Sequence, residues 1–173
     1  MASLLYDLSV GSYLQTLGGV AGFLQRGLDH FRDNGIDPDE IVAARLCGDM
    51  LPLSFQIVSV AHHSLGAIEG VKRGEFGPPR RSPPTEYAAL QKLVADTVEE
   101  LTTLTPDEVN GLQGRDVVFK IGDYAAPFTA ENFLMSFSLP NFYFHAATAY
   151  DILRWKGAPL GKRDFMGQMR IKA

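Results

Sequence analysis

The sequence has one cysteine, Cys47, so no disulfide can form within the chain. Lys and Arg are scarce in clusters: only the pair at 80–81 and the tail "GKRDFMGQMRIK" stand out, and the formal net charge is −4. Neutralising nucleic-acid phosphates takes clustered cations, so nucleic acid is excluded as an expected partner. The two basic stretches read as solvated ends. No apolar run approaches the ~20 residues of a membrane span, so no membrane association is expected. The opening "MASLLYDLSVGSYL" has no basic region and carries Asp7 early, unlike a secretory leader. With a single thiol, the expected compartment is a reducing cytoplasm. There is no glycine-rich phosphate loop. Ser54, Ser59 and Ser64 lack the glycine-flanked turn of a nucleophile elbow. Cys47 lies in the apolar "IVAARLCGDMLPL" with no base near it in sequence, and reads as a small buried hydrophobe.

What is present is the material of one globular domain. The 173 residues are 46% apolar and 21% charged, enough to bury a real core. Residues 3–33 place apolar side chains three and four apart, the pattern of a helix burying one stripe. Glycines at 11, 18, 19, 22 and 27 weaken that helix by up to ~1 kcal/mol each relative to Ala. Their small size suits a tightly packed inner helix. In "NGIDPDE", Gly35 can close the first helix, Asp37 caps the next, Pro38 fits its first turn and Glu40 falls three residues after the cap. "CGDMLP" breaks this second helix, which the spacing then resumes to about residue 73; Asp49 is placed to cap it.

"RGEFGPPRRSPP" is a connector long enough to cross a bundle, ~35–40 Å when extended. Thr85 or Ser82 is the expected cap of the third helix, "EYAALQKLVADTVEELTTL". "TPDEV" at 105–109 repeats the cap pattern with Thr105. "RDVVFKIGDYAAPF" alternates and turns, the sign of a small hairpin whose second strand Pro127 confines to an edge. Thr129 then caps a fourth helix over 130–156, and Glu131 reads as a first-turn acid favoured by the helix dipole. Pro140 lacks an N–H and crowds the carbonyl of Ser136, so a kink is expected near 136–140. The expected fold is all-α: a four-helix bundle with a crossover, plus a small β-hairpin between helices three and four.

Several segments carry a resemblance: "RLCGDMLPLSFQI", "AHHSLGAI" and "SLPNFYFHAATAYDILRWKGAPLGKRDF". They resemble DUF1993, a domain of unknown function, over nearly the whole chain. The most specific part is "LPNFYFHxxTAYDILRxxGxxxGKRDF". That family is similar to the DinB/YfiT-like metalloenzymes. The resemblance implies a crossover four-helix bundle, a homodimer, and a divalent metal (Zn, Ni or Mn) on three histidines, one on helix two and two spaced four apart on helix four. It also implies, for some members, a thiol-dependent transferase. On this chain the helix-two ligand is His63 or its neighbour His62, and one helix-four ligand is His145. Its partner is missing, because positions 141 and 149 are Asn and Ala. Asn is a poor ligand for zinc or nickel. Asp49 completes the set only if the break near residue 48 brings it close.

His145 has two readings: a buried hydrogen-bonding residue among Phe142, Phe144 and Tyr150, or a group in a metal or ligand site. Adjacent His62 and His63 point ~100° apart on a helix, and spacing from Gln56 and Asp49 favours His63 as the inward one. Tyr143, Tyr150 and Asp151 read as structural, with the Tyr150 hydroxyl also able to line a pocket. The leading expectation is therefore a small-molecule pocket around His145 and His63, with Tyr150, Asp49 and Asn141, and no complete three-histidine site. The alternative is a metal-dependent transferase or hydrolase using His63, His145 and Asp49. A third is a structural dimer without ligand. The sequence assigns no reaction. Helix one begins with exposed-looking apolar residues, which agrees with the dimer. Sedimentation at micromolar concentration should then give twice the chain mass; a mass near 19.0 kDa would rule the dimer out.

Overall fold

The computed structural model describes residues 4–80 and 82–172. Arg81 of the basic pair and Ser3, which starts the first apolar stretch, lie outside them. The chain is mostly helical with one small sheet. A short α1 (Leu5–Leu8) leads at Ser9 into α2 (Val10–Asp33), so the first stretch forms two helices rather than one. Val10, Tyr13, Leu17, Val20, Leu24, Leu28 and Phe31 form the buried stripe of α2. The expected close approach is real: a Cβ on Gly19 would sit 2.5 Å from the carbonyl oxygen of Phe165 in the C-terminal helix.

Local cap chemistry sets many of the helix starts. Asp37 accepts from the Asp39 N–H and begins α3 (Pro38–Val42), after Gly35 has closed α2 at φ 67°. Thr105 and Glu108 form a reciprocal capping box on α7 (Pro106–Asn110). Thr129 accepts from Asn132 and begins α8 (Ala130–Asn132). Glu131, in that first turn, also accepts from the Gly114 N–H at 2.9 Å.

Elsewhere a tertiary contact replaces the expected cap. Neither Thr85 nor Ser82 starts α6 (Tyr87–Thr103); the Tyr87 N–H instead donates to the Asp39 carboxylate at 2.7 Å. Asp49 caps nothing. The chain leaves the helix at residue 43, and the next helix, α4 (Leu53–His62), starts at Pro52 with no side-chain cap. The intervening loop closes through Leu53 N–H to Ala44 O, 2.9 Å, and carries Cys47 to the surface rather than into the core.

Two helix irregularities were not foreseen in this form. The helix after Pro52 is not continuous to residue 73. It breaks at His63 and Ser64, whose dihedrals leave the helical region, and resumes as α5 (Leu65–Arg73). The fourth helix is irregular just ahead of Pro140. It widens into a π-helical segment, Phe133–Ser138, before α9 (Leu139–Trp155). There the Leu139 N–H reaches back five residues to Leu134 O. The wider turn accommodates the proline ring, which a regular α-turn would force against the Ser136 carbonyl.

The connector after α5 is not wholly a crossing strand of chain. Its first residues form β1 (Glu75–Phe76), which pairs in parallel with β2 (Asp116–Ile121). β2 pairs antiparallel with β3 (Tyr124–Thr129), giving sheet order β1-β2-β3. The hairpin is thus two strands of a three-stranded sheet, with Pro127 on an edge strand as expected. Long helices pack in pairs, α2 on α6, α4 on α9, α4 on α6 and α2 on α9. A final helix, α10 (Lys162–Met166), seats on α2, where Arg26 meets Asp164 at 2.9 Å. Among the described residues no helix is long and apolar enough to cross a membrane.

The two irregularities touch. The Ser138 hydroxyl donates to the His63 carbonyl at 2.6 Å, and a carbonyl can only accept. The Tyr13 hydroxyl, 2.7 Å away, must therefore be the donor to Ser138 Oγ. All three residues are buried, and desolvation pushes the Tyr13 phenol well above its ordinary value. Ser138→Ala strands the Tyr13 hydroxyl and the His63 carbonyl together. Urea unfolding should show a loss of ~1–3 kcal/mol, the usual cost of unpaired buried groups; a loss below ~0.5 kcal/mol would show that the junction does not depend on this hydroxyl.

Candidate functional site

Where α4 ends and α9 begins, three histidines come together. His63 stacks on His145 with ring centres 5.8 Å apart and planes within 17°. His62 lies edge-on to His63, with ring centres 5.4 Å apart. His63 is the inward residue, only 8% exposed, as its spacing implied. His62 is half-buried and has its own place. Its Nε2–H donates to the Gly77 carbonyl at 2.6 Å, and its ring stacks on Phe76 at 4.4 Å. Gly66 leaves room for that ring, since a Cβ there would come within 3.2 Å of His62 Nδ1.

The tautomer of His145 follows from its partner. Gln56 is buried and donates its amide nitrogen to the Leu51 carbonyl at 2.8 Å. Its oxygen is then left to face His145 Nδ1 at 2.7 Å, so Nδ1 carries the proton. The basic lone pair of His145 is on Nε2. His63 has the opposite problem: its Nδ1 is buried with no hydrogen-bond partner among the described residues.

Burial makes these imidazoles neutral. Desolvation holds His145 down at about 4. His63 falls to about 3, through desolvation first and then the neighbouring imidazoles of His62 and His145. His62 is also lowered by desolvation, against the opposing pull of its bond to Gly77.

The sheet supplies the other wall. Phe76 on β1 and Phe119 on β2 are register partners, and both face Phe137 of the π segment, at 6.3 and 4.8 Å. Between them opens a cleft of about 310 Å³ lined by His62, His63, Phe76, Phe119, Phe137 and Asn141, with the 77–79 turn at its edge. His63 and Asn141 thus line a cleft, and His145 stacks on His63. Tyr150 does not join them. Five residues on from His145 it lies ~140° around the helix, and its ring packs on Phe23 and Phe165. Phe142 turns to Tyr13, while Phe144, though exposed, meets the His145 ring edge-on at 5.3 Å, and Phe55 meets it at 6.0 Å. Asp49 is exposed on the 43–52 loop. Sequence reasoning weighed His62 only as the lesser alternative to His63, and missed Phe76. The only signal was the "EF" pair just after Gly74, two residues being too few to read as a strand.

The residues do not fit the three-histidine metal that the resemblance implies. Among the described residues, no group of three or more His, Cys, Asp or Glu is arranged to hold a metal ion. Asn141, in the place of the missing ligand, donates its amide to the Phe137 carbonyl at 2.7 Å. That bond satisfies a carbonyl of the widened turn and commits the amide nitrogen of Asn141 to structure.

Linkage gives the pH dependence a sign. A histidine depressed in the folded state contributes stability above the unfolded value of ~6.5. That contribution is lost as pH falls toward about 4 for His145 and about 3 for His63, because the unfolded chain takes up protons first. At pH 8, His145→Ala should cost ~1–3 kcal/mol from the lost bond to Gln56 and the space left behind. Its melting temperature should also fall less between pH 7 and pH 4 than that of the unaltered protein. An NMR titration of His145 near 6.5, with no change in melting temperature for the variant, would place the imidazole in water instead.

The fold and sequence have relatives. A crystal structure of a DinB family member from Shewanella denitrificans superposes with a TM-score of 0.83 at 23% identity, covering 98% of this chain and 95% of that one. At that identity the likeness is one of fold. No curated protein matches the chain. Residues 5–166 match the domain of unknown function DUF1993, and with nearly its whole length matched the chain belongs to that family.

Proposed function

We propose that this protein is a crossover four-helix bundle of the DinB kind that binds a small, ring-bearing molecule in the histidine-lined aromatic cleft, in place of a metal on three histidines. The packing of α2, α4, α6 and α9 supports the bundle, with the connector after α5 as the crossover. The observation that carries the ligand reading is the unpartnered Nδ1 of His63, in a residue 8% exposed on the wall of an aromatic cleft. A buried polar atom without a partner is costly unless something else satisfies it. Concave, mostly apolar sites with a few polar groups are where small molecules bind. Phe76, Phe119 and Phe137 offer ring faces, while His63 and Asn141 offer polar atoms.

The test uses 2-phenylethanol as a neutral ring probe. It should shift the imidazole proton resonances of His62 and His63, and Asn141→Phe, which puts a ring into the cleft, should abolish the shift. Metal analysis of untagged protein is the second arm. About one equivalent of Zn, Ni or Mn, lost on His145→Ala, would overturn this reading in favour of a metal enzyme. Absence of any probe-induced shift would overturn it in favour of a structural role.

A further inference from the structure

A second and larger cleft adjoins the aromatic one. It has a volume of about 660 Å³ and is lined by His62, Phe76, Gly77 and Pro78, which also border the aromatic cleft, together with Arg73, Arg80, Lys120 and Glu75. Three cations therefore face one carboxylate on its wall. That excess is local, in a chain whose net charge is −4. The pairings leave positive charge over. Lys120 is bonded to Glu75 at 2.5 Å, and this pair holds the Glu75 carboxyl below its usual range. Among the described residues, the one ion pair of Arg73 is a long, exposed contact of 3.8 Å with Glu69. Arg80, exposed at the surface, belongs to this wall.

We infer that the basic cleft is an oxyanion site, and that the ligand of this protein is a small organic acid, with a carboxylate or phosphate group held by Arg73, Arg80 and Lys120 and an apolar ring lying in the neighbouring aromatic cleft. Planar guanidinium groups suit both kinds of oxyanion. Two clefts sharing the wall of His62, Phe76, Gly77 and Pro78 suit a molecule with one charged end and one apolar end. The inference rests on the aromatic-cleft reading for the ring alone; the anion site stands on its own lining.

His62 reports on the site because it lies on both walls. It feels Arg73 and Glu69 from α5, the Gly77 carbonyl from the turn and the imidazole of His63, with Glu75, Lys120 and Arg80 around the same cleft. An anion bound there favours the imidazolium, so it raises the titration midpoint of His62. The anion probe is inorganic sulfate, compared with chloride at matched ionic strength to remove general screening. Sulfate should raise the His62 midpoint, and Arg73→Gln or Lys120→Gln should reduce the rise. Both side chains are more than half exposed, so neither change should alter the melting temperature greatly.

The ring probes separate the two readings. Phenylacetate should bind at least about tenfold more tightly than neutral 2-phenylethanol, the usual worth of one charge-assisted hydrogen bond, and the gap should narrow in both variants. Equal affinity of the two ring probes, with no sulfate effect on His62, would overturn the anion site and leave the aromatic cleft standing. A sulfate effect lost in the variants, with neither ring probe binding, would keep the anion site and remove the ring. A phenylacetate preference that survives both substitutions would also overturn the assignment, because the charge would then be recognised elsewhere.

Discussion

The Ser138 hydroxyl, held between the Tyr13 phenol and the His63 carbonyl, joins the places where this fold departs from regular helix. A helix break inside a protein leaves carbonyls without their N–H partners, and a buried carbonyl must find another donor. At His63 the donor comes from the end of the π segment, at Ser138. Ser64, next in sequence, turns its own hydroxyl back to the Val60 carbonyl at 2.7 Å. Tyr13 of α2 completes the chain by donating to Ser138. Three elements far apart in sequence are therefore registered by two short bonds. That register sets the His63 ring beside His145, whose other side is fixed by Gln56.

The parts of this arrangement legible in the sequence are those governed by neighbours in the chain. Asp37, Thr105 and Thr129 cap helices because their oxygens reach N–H groups two or three residues away. Pro127 marks an edge strand and Pro140 marks an irregular helix turn for equally local reasons. The inward direction of His63 also came from simple helical phase. The parts that escaped depend on distant partners. Nothing near Glu86 announces that Asp39 will cap α6 from another helix. "HHSL" contains no proline and no helix-closing glycine, so a break there is invisible until Ser138 supplies the donor. The exposure of Cys47 follows from the helix ending at Val42, several residues before the break that "CGDMLP" marks.

The site shows the same division. His63, His145 and Asn141 were identifiable as residue types on helices, but the cleft exists because β1 brings Phe76 against His62. A two-residue strand has no periodicity to read. Asp49 was grouped with the histidines by helical spacing and Tyr150 for its hydroxyl, and the loop and the helix turn each carry them elsewhere.

Electrostatically, the histidine cluster and the basic wall belong together. Desolvation is the largest effect on all three imidazoles, and Arg73 adds to it at His62. Each ring is therefore uncharged near neutral pH and adds no cation to the already positive wall. Hydrogen bonds then fix which nitrogen of each ring is committed: Nε2 of His62 to Gly77, and Nδ1 of His145 to Gln56. Two of the three rings are thus oriented by the backbone or by a buried amide. His63 alone is positioned by stacking and by its own carbonyl, which leaves its Nδ1 without a hydrogen-bond partner among the described residues. The fold anchors the backbone of this residue tightly while leaving that nitrogen of its imidazole without such a partner. That combination, a rigid support under an unsatisfied polar ring, is what preorganised recognition of a small molecule requires.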